Sequence, residues 1–300
     1  MAVSGADIEE ALSSIPFDYE VSPNLTYIRR PDWEGRLDLF LPADRTRATP
    51  TLVWFHGGGF TQSSKEQELL YFLPYLHRRW SVVNVEYRLV DRASAPGAIA
   101  DGLCAMRWVA AHAAQHELQL DKLVVSGISA GGTLALVAGT TPGSSPLAAD
   151  CGPPSDFGQL PVPRVIVNWF GPSDLLDLIA GPHRQSQVAR WFAGVPNPIE
   201  VATLSSPIKY IRAPVPPVIT IHGDADDAVP YEQSVALHRL LDQIGSPNKL
   251  VRIRGAGHGD FTPEQASHAY ATVFGYVNAA IGPRALPPHK GMKGAKPAPR

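Results

Sequence analysis

Short apolar runs that alternate with helix-forming stretches constrain this chain more than any other feature. Residues 51–55, 81–85, 122–126 and 165–169 are rich in β-branched or aromatic side chains, and similar runs follow at 217–221 and 250–253. Most of these runs are predominantly apolar along their whole length, as strands covered on both faces are. Helical patterns separate them, at 67–79, 99–116, 130–138, 231–244 and 263–281. The last opens on Pro263, where a missing N–H costs little. Strand-then-helix from residue 50 onward predicts an α/β chain: a mostly parallel central sheet with helices on both faces, joined by right-handed crossovers. Ahead of it, Arg36-Leu37-Asp38-Leu39-Phe40-Leu41 alternates polar and apolar residues and stops at Pro42, which predicts a half-buried antiparallel strand.

With 300 residues the chain is long enough for one large domain, and no break in composition divides it. The reading is an N-terminal extension or partial cap over 1–35, a main domain over 36–282 and a disordered basic tail over 283–300. Within the main domain, 141–163 reads as a loop rich in Pro, Gly and Ser, and 175–216 as a possible cap excursion. A formal net charge of -2 lacks the basic footprint that a phosphate backbone requires, so no nucleic-acid partner is expected. No run approaches the roughly 20 apolar residues of a membrane span, and the acidic N-terminus does not resemble a signal peptide. A cytoplasmic location is therefore expected. Cys104 and Cys151 have no metal-like spacing and read as packing residues rather than a disulfide. No metal or cofactor is expected.

Four glycine-bearing segments carry the chemistry, each following an apolar run. Gly127-Ile128-Ser129-Ala130-Gly131 lies between a strand and a helix, the sequence form of a strained turn that exposes a nucleophilic serine. Alone, the pattern also fits a structural serine in a glycine-rich turn. It lacks the Gly-Lys-Ser/Thr ending of a phosphate loop and the spacing of a dinucleotide site. His56-Gly57-Gly58-Gly59-Phe60 follows the first core run. Consecutive glycines let a backbone turn N–H groups toward an oxyanion, so Gly58, Gly59 and Ala130 are the candidate oxyanion donors, and His56 reads as a loop-fixing residue in preference to a catalytic base. A serine hydroxyl also needs a histidine to take its proton and a carboxylate to orient that histidine. His222-Gly223-Asp224-Ala225-Asp226-Asp227 and Gly255-Ala256-Gly257-His258-Gly259 follow successive runs and offer both. His258 is the candidate base, while Asp224, Asp226 and Asp227 compete for the carboxylate role. His112, His116, His238 and His268 fall on helical patterns as packing or solvated residues, and Phe60, Trp169, Trp191 and Phe192 are candidates for apolar walls or for ordinary core.

These segments, with Val85-Glu86-Tyr87-Arg88-Leu89, resemble the esterase/lipase group of α/β-hydrolases over residues 36–280, nearest its hormone-sensitive-lipase-like and BD-FAE-like (feruloyl esterase-like) branches. The resemblance implies an α/β-hydrolase fold with a small or reduced cap. It implies a catalytic triad of Ser129, Asp226 and His258, with Gly58, Gly59 and Ala130 as the oxyanion hole. Tyr87-Arg88-Leu89, Asp101 and Trp108 match structural positions of the group, and Glu86 stands where many relatives have Asp. The implied activity is hydrolysis of a small or aryl carboxylic ester through an acyl-enzyme. The same residues would serve an amide or formamide hydrolase, a peptidase or an acyltransferase, and a non-catalytic ligand-binding protein could keep the fold.

Overall fold

The computed structural model describes residues 18–46, 48–142, 147, 151 and 159–282. Among these, strands β1 (Tyr19–Arg30), β2 (Trp33–Pro42), β3 (Pro50–Phe55), β4 (Ser81–Val85), β5 (Gln119–Ile128), β6 (Val165–Trp169), β7 (Val218–Gly223) and β8 (Asn248–Ile253) form one sheet. Their order is β1-β2-β4-β3-β5-β6-β7-β8. β1 and β2 run antiparallel to each other and β2 antiparallel to β4, and every later pairing is parallel. The helices are α1 (Leu69–Leu76), α2 (Ala95–His112), α3 (Ala130–Thr140), α4 (Leu175–Ala180), α5 (Ser186–Trp191), α6 (Pro198–Ser205), α7 (Glu232–Gln243) and α8 (Pro263–Ile281).

Because successive strand side chains point to opposite faces, the apolar runs divide into two cores. Val53 and Phe55 of β3 pack with Val83, Val125, Leu103 of α2 and Leu134 of α3. Leu52 and Trp54 point the other way, to Phe72 of α1 and Phe274 of α8. Continuous apolar sequence therefore means a strand buried on both sides. Parallel pairing also brings the C-terminal ends of β3, β5, β7 and β8 to one edge of the sheet, which gathers the four glycine-bearing segments.

Residues 18–35, which the sequence assigns to an extension or partial cap, instead supply β1 and the start of β2. The signal is hidden because β1 is an edge strand with a mostly exposed face, and its alternation breaks at Pro23 and Asn24. Asn24 takes φ 57 there, and its N–H donates to Asp38 at 2.8 Å. Arg30 at the end of β1 and Arg88 both donate to the buried Asp101 of α2, which ties the strand to the body of the sheet.

A second correction concerns the cysteines: Cys104 of α2 and Cys151 form a disulfide across a 47-residue separation. Long-range pairing of this kind leaves no local spacing signal. The 283–300 tail, residues 1–17 and most of the 141–163 loop lie outside the described residues. No described helix is long and apolar enough to cross a membrane.

The cross-link closes a long loop, and a loop of that size is expected to contribute about 2–4 kcal/mol. Replacing Cys151 by Ser should lower the melting temperature, and adding reductant should lower that of the native protein alone; thermal denaturation of both, with and without reductant, reads this directly.

Candidate active site

Ser129 sits between β5 and α3 at φ 50 and ψ -120, a backbone conformation that is strained for any side chain. The turn is tight enough that a Cβ on Gly127 would lie 2.4 Å from the Gly131 carbonyl oxygen, and one on Gly131 would lie 2.1 Å from that of Phe55. Glycine at both places is a steric requirement. The Ser129 N–H donates to the Trp169 carbonyl at 2.9 Å, fastening the turn to β6.

Ser129 Oγ lies 2.8 Å from His258 Nε2, and His258 Nδ1 lies 2.7 Å from Asp226 Oδ2. Phe170 packs its edge against the His258 ring, with centroids 4.8 Å apart. Of the three competing acids, Asp226 is the one that reaches His258. Asp224 accepts from Arg252 Nε and from the Gly255 N–H, both at 2.6 Å, and so pins the loop that carries His258. Asp227 is exposed. Burial of the Asp226 side chain would by itself raise its pKa. Hydrogen bonds from His222, His258 and the Val229 N–H outweigh burial and hold the carboxyl well below the usual carboxylate range.

The glycine loop after β3 faces the same point. Gly57 O accepts from His56 Nδ1 at 2.8 Å and from the Tyr87 hydroxyl at 3.2 Å. Gly58, at φ 101, has its carbonyl taken by the N–H groups of Thr61 and Gln62, both at 3.1 Å. In a trans peptide the N–H points opposite to the preceding carbonyl, so the N–H groups of Gly58 and Gly59 turn away from these partners. Among the described residues nothing accepts either of them. Ala130 is the first residue of α3, where an N–H has no partner within the helix. Gly58, Gly59, Ala130, Ser129 and His258 together line a cavity of about 330 Å³.

His56 is buried, with its ring stacked 4.1 Å from that of Tyr87, and its Nδ1 bond to Gly57 O holds the loop as expected. Of the candidate walls, Phe60 lines the cavity and Trp191 stacks on it from α5, with centroids 3.4 Å apart; Phe192 packs on Trp191. Trp169 lies instead in the core on the other face, against Tyr270. The 175–216 segment thus reaches the cavity through Leu175, Gln185 and Val188.

Two residues of the site carry little or no sequence signal. Glu68 is buried and accepts the Gly57 N–H at 2.7 Å, bracing the glycine loop from behind; burial pushes its carboxyl up. It lies on the 3-10 turn Lys65–Glu68, which has no motif. His222 is fully buried and bonds Asp226. Its one signal is its place at the head of the segment that carries Asp226.

A mostly parallel sheet, helices on both faces and a serine on the turn between β5 and α3 define the α/β-hydrolase fold. The BD-FAE family model matches residues 37–241, and the chain belongs to that family. It is 28% identical to the probable carboxylic ester hydrolase LipM of Mycobacterium tuberculosis over 76% of this chain and 50% of that protein. Against esterase LipI of the same organism, identity is 33% over 67% of this chain and 64% of that one. The chain thus spans about half the length of the first of these relatives. Among solved structures, esterase 2 of Thermogutta terrifontis, phosphorylated by paraoxon, superposes with a TM-score of 0.71 at 25% identity, covering 89% of this chain and 95% of that one.

The lowered pKa of Asp226 has a thermodynamic consequence. A carboxyl with a lower pKa folded than unfolded contributes stability that is fully present above its unfolded pKa of about 3.9 and is lost as pH falls toward its folded value. Chemical denaturation of the native protein and of Asp226→Asn should therefore show a stability gap at pH 6 that narrows steadily below about pH 4.

Proposed function

We propose that the chain is a serine carboxylic ester hydrolase that acts through an acyl-enzyme. The observation that carries this reading is the unbroken line from Asp226 to His258 at 2.7 Å and from His258 to Ser129 Oγ at 2.8 Å, where Ser129 lines one cavity with the glycines whose N–H groups are unpartnered. His258 Nε2 takes the Ser129 proton as Oγ attacks the ester carbonyl carbon. The N–H groups of Gly58, Gly59 and Ala130 receive the oxyanion, and Asp226 stabilises the imidazolium. When the tetrahedral intermediate collapses, His258 returns the proton to the leaving alcohol. Water activated by the same histidine then releases the acid and restores the serine. The names of LipM, LipI and the Thermogutta esterase support ester cleavage over amide hydrolysis, peptide cleavage, acyl transfer or silent ligand binding.

The cavity suits a small, uncharged ester. At about 330 Å³ it lies at the lower end for small-molecule sites. Among the described residues that line it there is no Lys, Arg, Asp or Glu, so a charged acyl or alcohol group would lose its hydration without a partner. Residues 36–282 act as one catalytic domain, with 175–216 as a reduced cap whose Trp191 backs the Phe60 wall. For location, the cytoplasm expected from sequence stands against the Cys104–Cys151 bond, because such bonds are rare in reducing compartments; the bond favours an oxidising one.

Ser129→Ala should abolish both turnover of short aryl esters and labelling by a fluorophosphonate probe, and Asp226→Asn should cost about 10⁴-fold in kcat. Retention of labelling by Ser129→Ala would overturn the nucleophile. Across esters of equal size, neutral members should be turned over faster than carboxylate- or ammonium-bearing ones, as a kcat/KM series will read.

A further inference from the structure

His222 has no task in the acyl-transfer steps, yet it bonds the carboxylate on which they depend. It lies in β7, four residues before Asp226, and its side chain is fully buried. Nε2 is 3.1 Å from Asp226 Oδ2 and 3.0 Å from the Val229 carbonyl oxygen. With Asp226 ionised both partners can only accept, so Nε2 carries the hydrogen. Nδ1 lies 2.6 Å from Ser234 Oγ of α7 and, in the neutral ring, accepts the serine hydroxyl proton. Tyr231 packs edge-on against the ring at 5.5 Å and holds its plane.

The carboxylate of Asp226 is consequently surrounded. Oδ2 receives N–H groups from His222 and His258, and Oδ1 receives those of Ala228 at 2.9 Å and Val229 at 2.8 Å. A carboxylate offers about four acceptor sites, and all of them are used here. The backbone donors hold Oδ1 alone. Without His222, the direction of Oδ2 would rest only on the exchange with His258, the group it must orient.

We propose that His222 is a positioning residue for the Asp226–His258 pair: its Nε2–H, kept in one tautomer by Ser234, fixes the plane of the Asp226 carboxylate so that Oδ2 stays aimed at His258 Nδ1. This inference rests on the ester-hydrolase reading above. A residue that merely filled space between β7 and α7 would share the burial but not the need for a donor at Nε2.

The test pairs His222→Leu, which removes the donor, with His222→Gln, whose amide N–H can reach the same carboxylate, using p-nitrophenyl acetate as substrate. Misplacement of a reacting group by about 1 Å costs on the order of 100-fold, so kcat of His222→Leu should fall about 100-fold while KM stays within about twofold. His222→Gln should recover most of that loss. Native kcat in folded His222→Leu, or a Gln variant no better than Leu, would overturn the positioning role. Histidine ¹⁵N NMR of the native protein at pH 7 reads the tautomer without any variant: a protonated Nε2 on His222 supports the role and an unprotonated one overturns it, even where His222→Leu does not fold. Absence of ester turnover by the native protein would count against the hydrolase reading, and the NMR arm would still decide the state of His222.

Discussion

The backbone of Gly131 rests against the carbonyls of Phe55 and His56, and this contact without side chains holds the site together. An added Cβ would lie 2.1 Å from one oxygen and 2.4 Å from the other. Such closeness joins the start of α3 to the end of β3, and hence the Ser129 turn to the glycine loop. The two strands β3 and β5 are direct neighbours, with Phe55 opposite Gly127 in register. Hydrogen-bond pairing within the sheet therefore sets the distance between the Ser129 turn and the glycine loop. Glu68, His56 and Tyr87 then brace the loop from behind.

The carboxylate end of the site is assembled differently. Asp226 and His258 leave β7 and β8, two strands at the far edge of the sheet, and their loops are joined by polar contacts more than by apolar packing. Asp224 holds the turn at Gly255, while Asp226 collects two backbone and two imidazole donors. A buried charge persists only when its hydrogen-bonding capacity is met, and a partly satisfied one is costly. The polar network thus serves stability and orientation at once. Around the buried Asp226 side chain the effective dielectric is low, which strengthens its pull on His258.

Much of this architecture is legible in the amino-acid order. Ser81–Val85 and Val165–Trp169 have the bounds that the apolar runs imply, and Pro263–Ile281 has those of its helical pattern. Continuous apolar sequence and a proline at the first helical position are local signals, and local signals survive folding. What escapes them is non-local. β1 is hard to see because an edge strand needs apolar residues on one face only, and Pro23 with Asn24 interrupts even that. Trp169, a candidate for either wall or core, packs in the core on the opposite face of the sheet against Tyr270. Glu68 and the Cys104–Cys151 bond depend on which segments meet in space, which no spacing encodes.

The order of strands and helices, the sharp turn at Ser129 and the glycine-rich loop are all written in the sequence, because each follows from side-chain periodicity or from the absence of a Cβ. The sequence also offers Asp224, Asp226 and Asp227 as candidate acids, among which the family resemblance points to Asp226. Tertiary structure separates them by geometry: Asp226 turns inward to meet His258 and His222, and Asp224, two residues earlier, turns outward to Arg252. The physical reason is that a residue's type sets what chemistry it can do, whereas only packing decides which partner lies within about 3 Å of it.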